Sequence, residues 1–296
     1  MTQGCLLGRA QLGCPCQKTF GGAVAGPLSG SPVAGSTGRA GGAGIPAAGI
    51  PPEAAAQLRR TSRGWPEARL RIVAEEAPAQ TRTLIFDMPG RTEDYIVLCA
   101  HVDGHDLAES AMDNATGVAA ALAVARALRG EVGGWRRGLR VAVFSVEEWA
   151  LTGSARYVEA LTEAERDRIA LNVNLDSIAG SANLTALTSG FPALEPFLLA
   201  VAEASGQPLR TVRPLMTNSD HANFALAGIP AFRLVAGYDE PGANLRLVLT
   251  NQDTRDKVIE TDLLRATELT AMIVAAACDA PAEVAARWRR RSTNAT

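Results

Sequence analysis

The chain has 296 residues, of which 47% are apolar, enough to bury the core of one large α/β domain or of two modest domains. Its 29 basic and 31 acidic residues are mixed along most of the chain and leave a formal net charge of −2. This balance excludes the broad positive field that favours nucleic acid or an anionic membrane surface. We therefore expect a small molecule or a peptide as partner.

The five cysteines are an odd number spread unevenly, which is a poor match to a disulfide framework and typical of a reducing compartment. The sequence does not open with a basic stretch followed by an apolar stretch, and no run reaches the ~18 apolar residues of a membrane span. These features predict a cytoplasmic protein.

Three regions follow one another along the chain. Residues 1–43 are rich in Gly and Ala and are predicted to be a leader or remnant with too little apolar area to fold alone. Residues 44–280 are predicted to form one domain. Residues 281–296 are predicted to be a solvated basic tail.

Within the domain, strand-like runs alternate with segments of helical composition. The predicted strands are residues 70–74, 83–87, 95–100, 139–144 and 169–175. The predicted helices are residues 53–58, 117–128, 153–161, 194–205 and 261–278. Such alternation predicts an α/β fold with a mostly parallel sheet and helices on both faces.

Polar side chains follow the strand ends, where open α/β sheets bind their ligands. The strand at 95–100 runs into His101 and Asp103, which share one face because side chains alternate along a strand. His101 is a candidate metal ligand and Asp103 the carboxylate that orients its ring, since metal-bound imidazoles usually donate their second N–H to such a group. Taken alone, this pair is weak evidence, and it favours a structural histidine over a metal ligand.

Further carboxylates occur at the corresponding places. Asp113 precedes the apolar helix, either as its N-cap or as a metal ligand. Glu147 and Glu148 follow the strand at 139–144, and Asp176 follows the strand at 169–175. Adjacent anions repel unless cations or protons are present, so the pair alone fits a metal site and a surface loop equally well. Three consecutive strand ends that each supply a ligand favour the metal site. In such a site Glu148 binds metal and Glu147 takes a proton from the attacking water.

Six segments carry a family resemblance: AHVD at 100–103, MDNATG at 112–117, the Glu147–Glu148 pair with its later Gly-Ser, NLDS at 174–177, NSDH at 218–221 and TNQDTRDKV at 250–258. In this order they resemble the two-zinc (co-catalytic) metallo-aminopeptidases, a family that includes bacterial leucyl aminopeptidases, glutamate carboxypeptidase II and the glutaminyl cyclases. The resemblance implies a three-layer α/β/α sandwich around a mostly parallel, mixed sheet of about eight strands.

The resemblance also implies the ligand set. Asp113 would bridge two ions, His101 and Asp176 would complete one site, Glu148 would belong to the other, and Glu147 would be the general base. Relatives place a histidine just before the TxxDT segment as the last ligand of the Glu148 site, whereas residues 245–249 contain none here and the matching position is Leu249, give or take two residues. We therefore expect one tightly bound zinc ion and a second, weaker one.

Two other histidines are candidate substitutes for the missing ligand. His221 lies in a segment that lines the pocket in relatives, which favours a polar wall residue over a ligand. His105 lies on the loop after His101, either as a ligand that swings in or as a solvent-facing residue.

The function implied is metal-dependent hydrolysis of peptide bonds, most simply by an aminopeptidase acting on a peptide or aminoacyl substrate, with neither nucleic acid nor membrane as partner. A homologue that binds metal or peptide without efficient turnover is the alternative, suggested by Leu249 and by an N-terminus that resembles a truncated one. Acyl transfer of the glutaminyl-cyclase type is disfavoured because it needs the missing histidine. Relatives are often exported, which competes with the cytoplasmic prediction.

Overall fold

The computed structural model describes residues 78–290 and, before them, only Gln57 and Arg60. The leader at 1–43 and the strand predicted at 70–74 lie outside the described residues, as does most of the helix predicted at 53–58. The predicted domain boundary at residue 44 therefore stays a prediction.

Seven strands of the described chain form one mixed sheet in the order β1-β3-β2-β4-β7-β5-β6. β2, β3, β4 and β7 are mutually parallel, β1 runs antiparallel to β3, and β5 antiparallel to β7. The strands are β1 Leu84–Met88, β2 Tyr95–His101, β3 Gly138–Phe144, β4 Ile169–Leu175, β5 Leu184–Leu187, β6 Leu209–Val212 and β7 Ala231–Ala236. The predicted α/β class is confirmed, and seven strands is close to the expected eight.

Helices connect and cover the strands. They are α1 Thr116–Leu128, α2 Thr152–Ala160, α3 Glu163–Arg168, α4 Leu194–Ser205, α5 His221–Leu226, α6 Glu260–Asp279 and α7 Ala282–Trp288. α1 buries its small apolar residues Ala120, Ala121 and Val124 and contacts β2 and α6. Small side chains permit this close approach of helix to sheet.

β4 is buried along its whole length because it lies between β2 and β7 in the middle of the sheet. Its sequence is therefore mostly apolar, and the amide of Asn174 is paired inside the fold: it donates to Ser219 Oγ at 2.7 Å and accepts from Cys99 Sγ at 3.2 Å. Since β2, β3 and β4 are parallel neighbours, their carboxyl ends meet at one edge of the sheet.

The last described residues differ from the solvated tail predicted at 281–296. Ala282–Trp288 forms α7, and Trp288 is buried with its ring centroid 4.8 Å from that of Phe197. Arg289 donates to the backbone oxygen of Asp167 at 2.6 Å. The basic composition did not predict this helix, because Trp288 is its only large apolar side chain.

Within the described residues, no single helix is long and apolar enough to cross a membrane, although α6 and α7, bent by 115° at their break, meet that length and composition test when taken together.

Candidate metal centre

The side chains predicted at the strand ends come together at the carboxyl edge of β2, β3 and β4. One ligand atom each of His101, Glu147 and Asp176 lies within 4.8 Å of the other two. Asp113 joins them, since its Oδ1 is 3.1 Å from His101 Nε2. Together with Glu148, whose carboxyl group lies close enough to Asp113 for that charge to raise its pKa, these five residues are called the metal centre.

His101 is buried at the end of β2 and contacts carboxylates through both ring nitrogens. Nε2 lies 3.1 Å from Asp113 Oδ1 and 3.8 Å from Asp176 Oδ1. Nδ1 lies 3.0 Å from the backbone oxygen of Asp103 and 3.7 Å from its Oδ1, so the carbonyl is the closer orienting group. Burial alone lowers the pKa of His101, but Glu147 and the carboxylate hydrogen bonds outweigh it and hold that pKa well above its usual value.

The Asp103 carboxylate has a role that the sequence did not reveal. Its two oxygens accept hydrogen bonds from the backbone N–H groups of Glu147 and Glu148, each at 3.1 Å. Burial opposes ionisation, yet the hydrogen bonds from His101 and Glu147 outweigh it and lower the pKa of Asp103. Asp103 therefore fixes the turn after β3 as well as the ring of His101.

Glu147 and Glu148 differ in their surroundings. Glu147 is buried, and this burial, with the negative charges of Asp176 and Asp220, raises its pKa well above the usual value. Burial and the charge of Asp113 raise the pKa of Glu148 to about 8, and its Oε1 is buried without a hydrogen-bond partner. A buried carboxylate oxygen without a partner is costly unless a proton or a cation compensates it.

The geometry differs from the roles that the sequence predicted for Glu147 and Glu148. The tight group contains Glu147, the predicted base, rather than Glu148, the predicted ligand. Their separate roles therefore stay predictions.

Asp176 follows β4 and uses both carboxylate oxygens. Oδ2 accepts from Ser219 Oγ at 2.5 Å, while Oδ1 accepts from Ser177 Oγ at 3.2 Å and lies 3.3 Å from Arg233 Nη2. Burial opposes ionisation, but Arg233 and His101 outweigh it and lower the pKa of Asp176. Arg233 was missed by sequence analysis; the signal was a single arginine inside an otherwise apolar strand.

The loop before α1 holds Asp113 in place from two sides. Asp253 accepts hydrogen bonds from the backbone N–H groups of Met112 at 2.7 Å and Asp113 at 3.1 Å. Asn114 donates to the Leu175 backbone oxygen at 2.8 Å and accepts from Gly117 N–H at 3.0 Å. Asp113 makes no cap bond to α1, so the N-cap alternative is not what the structure shows.

The three remaining positions of interest lie outside the tight group. Leu249 is buried with φ +61°. His221 lies in α5, fully buried, and its pKa is lowered to about 3 by burial and by Arg233. His105 lies on the loop after β2, and its backbone N–H donates to Ser110 Oγ at 3.3 Å.

The residues present fit a divalent cation. One imidazole and several carboxylates converge, and Glu148 Oε1 lacks any hydrogen-bond partner. Nitrogen and oxygen donors in this mixture suit zinc.

Such a cluster at the carboxyl edge of a sheet fits a divalent cation, and comparison with known proteins gives the family. The model described as "Peptidase family M28" matches residues 83–274, more than half of the chain. The chain belongs to peptidase family M28.

Individual relatives are similar in sequence to this chain over part of their length. The chain is 30% identical over 140 residues to aminopeptidase YwaD of Bacillus subtilis, covering 47% of this chain and 30% of that protein. It is 30% identical over 157 residues to leupeptin-inactivating enzyme 1 of Streptomyces exfoliatus, covering 53% of this chain and 36% of that protein. The chain thus matches about a third of the length of these relatives.

Among solved structures, BSAP, a zinc aminopeptidase from Bacillus subtilis, superposes with a TM-score of 0.60 at 24% identity, over 68% of this chain and 53% of that chain. This similarity supports the fold.

Proposed function

We propose that the protein is a metal-dependent hydrolase of peptide bonds, an aminopeptidase that uses zinc. The observation that carries the proposal is the convergence of His101, Glu147 and Asp176 at one sheet edge, with ligand atoms within 4.8 Å of one another. Membership of peptidase family M28 and the aminopeptidase among the relatives support it.

His101, Asp113, Glu148 and Asp176 would hold the metal. Zinc, when bound, polarises a carbonyl group and makes water a better nucleophile near neutral pH. Asp103 orients His101 through its backbone oxygen and fixes the following glutamates through its carboxylate.

Glu147 is the proposed general base. Its burial raises its pKa above that of an ordinary glutamate, which makes its carboxylate a stronger base at neutral pH. It would accept a proton from the attacking water and return it to the leaving amine.

We further propose that the centre holds one ion tightly and a second weakly. The position where the resembled family supplies an imidazole is Leu249, an aliphatic side chain that offers no donor atom. The site that includes Glu148 would then depend on carboxylates and water alone.

The substrate class we propose is a peptide or aminoacyl compound. The names of two relatives support it: one is an aminopeptidase, and the other is a leupeptin-inactivating enzyme.

A second candidate is a homologue that binds metal or peptide without efficient turnover. It is favoured by Leu249 and by Arg233, whose positive charge lies 3.3 Å from a carboxylate oxygen of the proposed ligand Asp176.

Zinc stoichiometry, measured together with hydrolysis of a panel of aminoacyl-nitroanilides, tests both candidates. Hydrolysis that a chelator abolishes and zinc restores is the expected result. Zinc binding without hydrolysis of any substrate in the panel supports the second candidate. Absence of both zinc binding and hydrolysis contradicts the metal-dependent proposal.

A further inference from the structure

Arg233 is a charged residue in the middle of the sheet. β7 lies between β4 and β5, and all its residues are buried. Arg233 is opposite Asn174 of β4 and Leu187 of β5 and is only 7% exposed. A guanidinium in such a place is costly unless it is paired.

Its partner is Asp176. Arg233 Nη2 lies 3.3 Å from Asp176 Oδ1, and its Nε and Nη2 each lie 3.4 Å from the Asp176 backbone oxygen. Across the described residues, no other Lys or Arg forms an ion pair with a carboxylate of the metal centre. Arg233 is therefore the fixed positive charge of this acidic site.

The position of this charge matters for metal binding. Asp176 Oδ1, the oxygen beside Arg233, is also the oxygen that lies 3.8 Å from His101 Nε2. A divalent ion held by His101 and Asp176 would share this carboxylate with the guanidinium of Arg233. Like charges repel strongly in a buried, low-dielectric site.

We propose that Arg233 is a positioning residue that acts as a built-in cation: it holds the Asp176 carboxylate in place in the metal-free protein, and it weakens the binding of a divalent cation by His101 and Asp176. The inference rests on the proposed function, because it assumes that these two residues bind metal. It extends that function by assigning a residue that sets the metal affinity.

The test is the zinc dissociation constant of the full chain, measured by competition with a chelating dye, with the melting temperature recorded with and without zinc. Arg233→Met should bind zinc about tenfold more tightly than the unchanged protein, because the repelling charge is gone. Its metal-free form should melt at a lower temperature, because Asp176 is left buried without its partner. Arg233→Lys, which keeps the charge, should stay within about threefold of the unchanged protein.

Arg137→Met is the matched control. Arg137 is also a buried arginine, but it precedes β3 at the other end of the strand and donates to the backbone oxygen of Ala280 at 2.6 Å. Its loss should lower the melting temperature and leave zinc affinity unchanged.

An Arg233→Met protein that binds zinc equally or less tightly would overturn the inference and reduce Arg233 to a structural partner of Asp176. If Arg233→Met does not fold, Arg233→Gln takes its place, since it removes the charge and keeps an N–H donor for the Asp176 backbone oxygen. Tighter zinc binding by that variant then supports the inference, and equal or weaker binding overturns it. Zinc binding by the unchanged protein with no gain in the variant overturns this inference alone. Absence of zinc binding in every form overturns the proposed function together with it.

Discussion

Glu147 and Glu148 are neighbours in sequence with different environments. The first is buried within the tight group of ligand atoms, whereas the second is partly exposed and keeps one buried oxygen without a partner. The division of labour between base and ligand is therefore a question for a single-residue experiment.

We expect Glu147→Gln to bind zinc within about threefold of the unchanged protein and to lose about a hundred- to ten-thousand-fold in kcat, because the amide cannot accept the proton. Kinetics on an aminoacyl-nitroanilide and a zinc titration measure the two effects. Glu159→Gln, on the exposed side of α2, is the control and should change neither. A Glu147→Gln protein with full rate rules out the general base, and one that no longer binds zinc makes Glu147 a ligand.

Leu249→His should raise zinc content from near one ion per chain toward two, because it places an imidazole at the position that we propose to match the histidine of the resembled family. The positive φ of +61° at this position suits histidine better than a β-branched residue. Zinc per chain, measured by elemental analysis after dialysis, decides the outcome. Val248→His places an imidazole one residue away and should add none. Equal zinc content in the two variants would contradict the alignment of this loop.

At the scale of elements, the centre depends on loops that are held by distant segments. The loop before α1 carries Asp113, and its backbone is held by Asp253, a residue 140 positions later. A carboxylate that accepts two backbone N–H bonds fixes a loop more firmly than sequence neighbours do.

Asp253→Ala should therefore lower the free energy of unfolding by about 2–4 kcal/mol, because two buried N–H groups lose their acceptor. Zinc affinity should fall as well, since Asp113 is no longer held. Asp253→Asn keeps one acceptor oxygen and should give a smaller loss of both. Urea unfolding of the metal-free protein and a zinc titration measure the effects, with Asp256→Ala on the exposed side of the same segment as control. Unchanged zinc affinity in Asp253→Ala would show that Asp113 is placed by other contacts.

At the scale of the whole molecule, the cluster of carboxylates makes the metal-free protein sensitive to pH. Burial, with the charge of Asp113, raises the pKa of Glu148 to about 8, and burial raises that of Asp220 to about 6. Glu147 and His101 are shifted upward too, for the reasons given above. His221, whose pKa is lowered to about 3, acts in the opposite sense below about pH 6.5, but these four raised groups outnumber it. The folded protein then binds more protons than the unfolded chain between about pH 5 and 8.

The sign of the effect follows from these shifts. The stability contributed by protonated groups is present at low pH and is lost as pH rises through their folded pKa values, so the metal-free protein should melt at a lower temperature at pH 8 than at pH 5. Zinc displaces these protons, so its stabilising effect should grow over the same range. Melting curves from pH 5 to 8, with and without zinc, measure both trends. A metal-free protein that grows more stable with pH would contradict the raised pKa values.

The end of the described chain contributes to the core. Trp288→Ala should lower the free energy of unfolding by about 3–5 kcal/mol, because it removes a buried ring that packs on Phe197. Trp149→Ala is the control for loss of an indole ring, since Trp149 is 74% exposed; it should change stability by less than about 0.5 kcal/mol. Denaturant unfolding measures both. Equal effects would mean that α7 does not stabilise the domain.

Local patterns were sufficient for much of this protein. The apolar runs that became β2, β3 and β4 and the helices α1, α4 and α6 were predicted within a few residues, because buried strands and sheet-packed helices leave continuous apolar signals. The polar residues that follow these strands were predicted to meet, and the structure places ligand atoms of His101, Glu147 and Asp176 within 4.8 Å of one another, because parallel strands end at one edge. The four-residue strands β5 and β6 and the helices α3, α5 and α7, of six or seven residues each, are too short to give a clear periodic pattern.

Only the tertiary structure decided how the site is supported. Asp253 reaches the Asp113 loop across 140 residues, and Arg233 reaches Asp176 across 57 residues because β7 inserts beside β4 in the sheet. Neither contact has a local signature, since strand order is set by packing of the whole sheet and not by the sequence of one strand. The sequence by itself determined which chemical groups lie at the strand ends. The order of the strands determined which charged side chains surround these groups, because electrostatic energies depend on the distances between the charges.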